Sequence, residues 1–444
     1  MNDLHCIILA AGKGTRMKSD KPKVMALLGG LPLVRHVVNT CEKLNAKTIV
    51  TVLADGMDVV AKTVAPHPTA IQEKQLGTGD AAKAALPALK SAQGHVMILL
   101  GDVPMVSAET LEALHEAASE TGLAVLGMHA NNPRGYGRLV VNDDGFVSAI
   151  VEDRDCTPEQ AEISLVNSGC FCVAADKLEG YLNALQSNNS QKEYYLTDIV
   201  AIAAASGVEC DYVEAPEYEL MGINSRSQLA EAEGELQNRL RAQAMFDGAT
   251  LIDPMTVYFS LDTKLGRDVV IEPNVFFGPG VTLADNVTIH SFSHLEGVTV
   301  EEGASIGPFA RIRPYSHIGA KATIGNFVEV NRATVKAGAK SKHVSYLGDA
   351  IIGEKANIGA GTVIANYDGF NKQDTVIGKN VFIGSNSTLV APLTVADGAF
   401  IAAGSTITAD VPNDALAVAR ARTVLRDGWA NEYRAEKQAT KEKK

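Results

Sequence analysis

From about Leu265 to Val411 the chain repeats one short phrase: an aliphatic residue, often Gly or Ala after it, two polar or turn residues, then a small one. IEPNVF, IGAKAT, IGEKAN and IGSNST are examples. A period of six with the branched aliphatic at one fixed phase fits neither the 3.6 of a helix nor the 2 of a strand, and predicts a parallel β-helix. Its aliphatics stack inside a prism while Gly, Asn and Asp turn the corners, so each coil buries its face only against the next. Such a core needs few aromatics, and Phe, Trp and Tyr make up only 5% of the chain.

A chain of 444 residues exceeds one ordinary core and implies two or three domains. The net charge of −12 argues against a nucleic-acid-coating protein, although individual sites can still be basic. Six cysteines, Cys6, Cys41, Cys156, Cys170, Cys172 and Cys210, all precede the repeat and lack zinc-like spacing. Cys170 and Cys172 alternate along a strand-like run and read as buried structural thiols. Asp3 and the interruption at Lys13 argue against a signal peptide, and no run of about 20 apolar residues exists. The expectation is a reduced, cytoplasmic enzyme with small-molecule substrates and no nucleic-acid or membrane partner.

The first half alternates strand-like and helix-like segments. Leu4 to Ala10, Lys47 to Leu53 and His95 to Leu100 read as strands, Leu33 to Leu44 and Gly79 to Leu89 as helices. Ser107 is suited to cap a helix carrying Leu111 and Leu114, with Glu109 in its first turn. This alternation predicts an α/β, Rossmann-like domain with a mostly parallel sheet and ligands at the carboxyl ends of its strands. The domains expected are 1–225, a linker helix at 226–247 carrying Leu229, Leu236 and Leu240, a β-helix at 248–428, and a charged, unstructured tail at 429–444.

The loop from Leu9 to Met17 is the densest chemical signal. Gly12 and Gly14 let backbone N–H groups approach an anion, and Lys13, Arg16 and Lys23 add positive charge. A P-loop would need GK[ST], and a dinucleotide fingerprint would need Gly where Met17 stands. Three later pieces sharpen it: Gln72 with Gln75-Leu-Gly-Thr-Gly79, Gly101-Asp-Val-Pro104, and Gly222-Ile-Asn224.

With these motifs the first half resembles a sugar-1-phosphate nucleotidylyltransferase. With the repeat attached, the chain from about Leu4 to Trp429 resembles the bacterial bifunctional N-acetylglucosamine-1-phosphate uridylyltransferase and glucosamine-1-phosphate N-acetyltransferase family. The resemblance implies that Leu9, Gly12, Gly14, Arg16 and Lys23 hold UTP, with Arg16 and Lys23 catalytic at its phosphates. It implies that Gln72, Gly77 and Thr78 read uracil, and that Asp102 and Asn224 bind Mg²⁺. Gly137, Glu152, Asn167 and Asn224 would hold N-acetylglucosamine, with Tyr194 to Asp198 closing that pocket. Asp80 departs from the family pattern, where His usually follows the GTG; the change is expected to be peripheral, although a carboxylate near a triphosphate would weaken nucleotide binding.

In the second half the phase breaks at Lys340 to Tyr346 and at Asn366 to Lys372, and insertions in a solenoid cluster on a functional face. His343 is the only histidine in the second half of the repeat. By resemblance it is the general base that deprotonates the 2-amine of glucosamine-1-phosphate for attack on acetyl-CoA, since an ammonium has no lone pair and imidazole titrates near neutrality. Glu329 would support the histidine or the amine. Arg313, Tyr346, Asn357 and Lys372 would hold the sugar phosphate, and Ala360, Asn366, Tyr367, Ser385, Ala403 and Arg420 would line an acetyl-CoA groove. Asn331 stands where relatives carry a Lys that pairs with the sugar phosphate. Losing a charge-assisted contact worth about 1.5–3 kcal/mol would raise the Michaelis constant by tens of fold. Arg332 is adjacent, but alternate strand residues point to opposite faces, so its rescue needs a local twist.

The family further implies a left-handed prism, a homotrimer and an acetyltransferase site shared between subunits. Two other functions compete. In one, only nucleotidylyl transfer survives and the β-helix drives oligomerisation; His343 and the Asn366 loop oppose it, Asn331 favours it. In the other, the chain is a non-catalytic nucleotide-sugar-binding regulator, which Lys23, Asp102 and Asn224 oppose.

Overall fold

The computed structural model describes residues 3–12 and 14–442, so the expected charge at Lys13 lies outside the described residues. The chain divides into two units, 1–240 and 241–444, with the boundary inside the helix Arg226–Phe246.

The first unit is built on strands β1 (Leu4–Leu9), β2 (Thr48–Ala54), β3 (Thr69–Gln72), β4 (His95–Leu100), β5 (Leu123–His129), β6 (Arg138–Val141), β7 (Val147–Val151), β8 (Leu165–Ala174) and β9 (Asp211–Glu214). The main path through the sheet runs β9-β5-β8-β4-β1-β2-β3, with β6 and β7 attached as an antiparallel hairpin. All neighbours on the path are parallel except β8, which runs antiparallel to both β4 and β5. The expected mostly parallel sheet is therefore present, and β1, β2 and β4 are largely apolar, buried runs because helices cover both faces, while the edge strand β3 is partly exposed. Leu4, Cys6 and Ile8 face one core and Ile7 and Leu9 the other. The Ser107 hydroxyl accepts from Thr110 N–H at 3.1 Å and caps Ala108–Thr121, whose Leu111 and Leu114 are fully buried. Cys170 and Cys172 are buried and unpaired, and burial pushes the Cys170 thiol up to about 11. Leu236, with Leu229 and Leu240 beside it, packs against Leu28, Leu33, Met105 and Ile223, so this stretch of the expected linker is part of the first unit's core.

The second unit is the parallel β-helix. Short parallel strands pair coil on coil, and the inward column Ile271, Ile289, Ile306, Ile324 continues through Ser341 to Ile358, Ile383 and Ile401. Thr323–Asn331 and Lys340–Gly348 are nine-residue strands that run unbroken through a corner where other coils break. One corner keeps left-handed backbone over successive coils, at Phe292, Phe309, Phe327, Val344, Gly361, Asn386 and Gly404. The tail corrects its expectation: residues Trp429–Lys441 form a helix with every side chain exposed, because Ala, Glu, Lys, Gln and Arg are good helix formers. Lys443 and Lys444 lie outside the described residues.

Candidate active sites

In the first unit the site grows from three strand ends. The chain leaves β1 into the glycine-rich loop, where Gly14 adopts φ 60° and a Cβ there would sit 2.5 Å from Lys23 Cβ. That close approach brings Lys23 beneath the loop. Its ammonium donates to the Asp102 carboxylate, just past β4, and to Asn224 Oδ1 at 2.8 Å. Three of the expected residues, distant in sequence, thus meet at one point. Arg16 is exposed, close enough to the Tyr136 hydroxyl to act on it electrostatically along with Asp102.

Leu9, Gly12, Lys23, Gln72, Gly77, Thr78 and Asp102 line one cavity of about 480 Å³, large enough for a small ligand. Gln75 ties the two glycine-rich segments together by donating to the Ala11 carbonyl. Gly77 has φ 113° and lies so close to Tyr194 that a Cβ would meet its carbonyl at 2.6 Å. Tyr194 N–H donates to the Leu76 carbonyl, Gly79 N–H donates to the Tyr194 carbonyl, and Leu196 N–H donates to the Thr78 hydroxyl. The Tyr194 to Asp198 segment is therefore stitched to the GTG turn. It also reaches the expected sugar residues, because the Thr197 hydroxyl donates to Glu152 at 3.1 Å. Gly137 lies against Glu152, and its carbonyl accepts from Asn167 N–H at 2.8 Å, so Gly137, Glu152 and Asn167 form one group. Burial pushes the Glu152 carboxyl above the usual carboxylate range; Thr197 opposes this, while Asp198, Asp155 and Asp153 add to it.

Asp102 and Asn224 present hard oxygens to a single positive charge, here the Lys23 ammonium, which is the donor chemistry a small divalent cation requires. Among the described residues no cluster of three or more His, Cys, Asp or Glu forms a metal-binding group, so a cation here would rely on these two ligands and on substrate oxygens.

In the second unit His343 Nδ1 lies 3.0 Å from Asn326 Oδ1, its register partner one coil below. A carbonyl oxygen only accepts, so the contact calls for a proton on Nδ1, and in the neutral ring that arrangement leaves Nε2 as the nitrogen with the lone pair. Asn326 was not among the expected residues; its place directly under His343 follows from the 17-residue coil, a spacing visible in the sequence. Glu329, expected beside the histidine or the amine, accepts from Arg313 at 3.0 Å.

Around Asn331 the chain makes the local twist that a strand would forbid. Arg332 has φ 50°, and its guanidinium donates to Asn331 Oδ1 at 3.2 Å as well as to Asp349 at 2.6 and 2.8 Å. Asn331 donates to the Tyr346 hydroxyl at 3.3 Å, and Asn366 donates to the same Asp349 carboxylate. Asp349 is held below the usual carboxylate range by the Arg332 hydrogen bonds first, then Asn366 and the charge of Lys372. Arg332 thus brings a positive charge to Asn331, largely paired with Asp349.

His343, Ala360, Ser385 and Ala403 fall on successive coils of the left-handed corner. Gly361 N–H bonds the Val344 carbonyl, Asn386 N–H the Ala360 carbonyl and Gly404 N–H the Ser385 carbonyl. Arg420 continues the column, its Cδ 3.7 Å from where a Cβ at Gly404 would lie. Tyr367 is exposed at the loop that pairs Tyr367 with Lys372. Asn357 lies on a different ladder, in register with Lys340, and makes no hydrogen bond to this group among the described residues.

The family model for the MobA-like NTP transferase domain matches residues 6–195, that for the bacterial transferase hexapeptide (six repeats) residues 262–297, and that for the GMPPB C-terminal domain residues 295–396. The bifunctional protein GlmU of Paramagnetospirillum magneticum is 52% identical over 99% of this chain and 99% of its own length. The chain belongs to the GlmU family. Further GlmU relatives are those of Zymomonas mobilis, 46% identical over 97% of each chain, and of Jannaschia sp., 46% identical over 99% of this chain and 98% of that protein. Membership of the GlmU family joins the nucleotidyltransferase region and the hexapeptide region in one bifunctional transferase. Nucleotidyltransferases of this kind generally use a divalent metal. No helix among the described residues is long and apolar enough to cross a membrane.

Proposed function

We propose that this protein makes UDP-N-acetylglucosamine in two steps, acetyl transfer from acetyl-CoA to glucosamine-1-phosphate and then uridylyl transfer from UTP with release of pyrophosphate. It is a UDP-N-acetylglucosamine diphosphorylase and a glucosamine-1-phosphate N-acetyltransferase. The observation that carries the bifunctional reading is the pairing of His343 with Asn326, which leaves a basic Nε2 in a chain that also assembles Lys23, Asp102 and Asn224.

In the second unit, His343 Nε2 takes a proton from the 2-amine, whose nitrogen then attacks the thioester carbonyl while CoA leaves as the thiol. Arg313, Asn331, Tyr346, Asn357 and Lys372 hold the sugar phosphate, with Arg332 lending its charge, and Glu329 supports the histidine or the amine. The column Ala360, Ser385, Ala403 and Arg420, with Asn366 and Tyr367, holds acetyl-CoA. In the first unit no protein nucleophile is needed, because the ionised sugar phosphate itself attacks the α-phosphorus of UTP. Leu9, Gly12 and Gly14 cradle the nucleotide, Gln72, Gly77 and Thr78 read the base, and Gly137, Glu152, Asn167 and Asn224 orient the sugar. Arg16 and Lys23 neutralise charge that builds on the phosphates. Asp102 and Asn224 would hold Mg²⁺, which when bound supplies further charge neutralisation at the phosphate oxygens.

A cytoplasmic location suits free UTP and acetyl-CoA as substrates. Assembly as a homotrimer is supported by the column Phe292, Phe309 and Phe327, exposed and stacked at 4.9 and 5.0 Å, since solvent-facing apolar runs mark association surfaces. A coupled assay tests the function: with glucosamine-1-phosphate, acetyl-CoA, UTP and Mg²⁺, free CoA thiol and pyrophosphate should both appear. Pyrophosphate formed only when N-acetylglucosamine-1-phosphate is supplied, with no thiol released, would leave a monofunctional nucleotidylyltransferase.

A further inference from the structure

Gln72 ends β3 and is 6% exposed. Its Nε2 donates to Asp80 Oδ2 at 2.8 Å and to the Gly77 carbonyl at 3.0 Å. A carboxylate and a carbonyl can only accept, so the amide nitrogen is fixed between them and the carbonyl oxygen Oε1 is the atom left over. Oε1 makes no hydrogen bond among the described residues and is not one of the buried unpaired atoms, so it is accessible, and Gln72 lines both the cavity it shares with Gly77 and a neighbouring one beside Lys21 and Asp55. The Gly77 N–H likewise makes no backbone hydrogen bond among the described residues. The cavity wall therefore offers a fixed acceptor near a free donor.

We propose that Asp80 is a positioning residue that sets base specificity: it locks the Gln72 amide with its carbonyl toward the nucleobase, favouring the N3–H of uracil over the bare N3 of cytosine. The proposal rests on the reading of this cavity as the UTP site. An unrestrained glutamine would flip and offer its NH₂ to cytosine at little cost. With Asp80 present, the flip sets Oε1 against a carboxylate and a carbonyl, three acceptors with no proton among them. Sites that hydrogen-bond a substrate N–H reject analogues lacking it far more strongly than apolar pockets reject a missing methylene. Asp80 also stands in the first turn of Thr78–Ala85, where any acidic side chain favours the helix, so stability alone does not report the lock.

The test is the ratio of kcat/KM for UTP to that for CTP in uridylyl transfer by the full chain, with thermal unfolding measured alongside. Wild type should prefer UTP strongly. Asp80→Ala should lower the ratio roughly tenfold or more, chiefly by gain of CTP use. Asp80→Asn can turn its own NH₂ toward a flipped Gln72, and should lower the ratio part of the way toward that of Asp80→Ala. An unchanged ratio in a folded Asp80→Ala protein, or comparable use of CTP by wild type, overturns the lock; the wild-type measurement decides even where the variant does not fold. Gln72→Ala separates the two layers: if it leaves the ratio unchanged, Gln72 does not read the base and the reading of the cavity falls. If Gln72→Ala shifts the ratio and Asp80→Ala does not, only the lock falls.

Discussion

His343 works as a base only while its proton stays on Nδ1, and the single group that fixes this is the Asn326 carbonyl. His343→Ala should cost roughly 10²–10⁴ in acetyl transfer, and Asn326→Ala roughly tenfold through kcat, with the KM for acetyl-CoA unchanged. Steady-state kinetics on both variants check this; full activity in His343→Ala removes the assignment. Glu152 gives a pH prediction. Its folded carboxyl lies above its unfolded value, so the stability it contributes is complete below the unfolded pKa and lost as pH rises through the folded one. Sugar hydroxyls, by contrast, donate best to the ionised form. The KM for N-acetylglucosamine-1-phosphate should therefore fall with rising pH in a window just above the ordinary carboxylate range. Glu152→Gln should flatten that dependence and raise the midpoint of thermal unfolding at neutral pH; a parallel profile in the variant would argue that another group titrates.

At the scale of the coil, two departures from the repeat have opposite meanings. Ser341 stands in the inward aliphatic column between Ile324 and Ile358, 1% exposed, its hydroxyl without a partner. Ser341→Ala should stabilise the second unit by about 1 kcal/mol, read in chemical denaturation, because an unsatisfied buried hydroxyl is removed with little loss of volume. Arg332 is the other. Its left-handed backbone turns a side chain that strand alternation would send away, so that it reaches Asn331 and Asp349. Arg332→Ala takes the guanidinium from the Asp349 carboxylate and leaves it the Asn366 hydrogen bond beside the sugar-phosphate site, and the KM for glucosamine-1-phosphate should rise about tenfold or more with kcat little changed. An unchanged KM would make Arg332 purely structural. The hexapeptide period made the β-helix legible in the sequence, because each aliphatic faces one neighbour at a fixed offset. The motif glycines and Asp102 were legible because they close apolar strands. The Arg332 turn and the antiparallel β8 depend on which backbone angle or strand direction wins locally, and a hydrophobic pattern says nothing of either, whereas the Asn326 partner follows from the 17-residue coil once its length is counted. The helix at Trp429–Lys441 is not legible from charge, which points to disorder, although its residues favour a helix one by one.

Across the whole chain, the two units hold separate sets of residues, and a defect in one set should leave the other working. Lys23→Ala should lower uridylyl transfer by orders of magnitude and leave acetyl transfer intact, while His343→Ala should do the reverse. Separate thiol and pyrophosphate readouts decide this, and loss of both activities in either variant would refute two independent sites.

The corner column that starts at His343 climbs through Ala360, Ser385 and Ala403 to Arg420, one step per coil. Parallel strands lie about 4.8 Å apart, so four steps separate the backbones at His343 and Arg420 by roughly 19 Å. The β-helix is in this respect a gauge. On the proposed reading, an acyl carrier laid along this column would be measured by counting coils, and inserting or deleting a single repeat would retune the length accepted without reshaping any pocket.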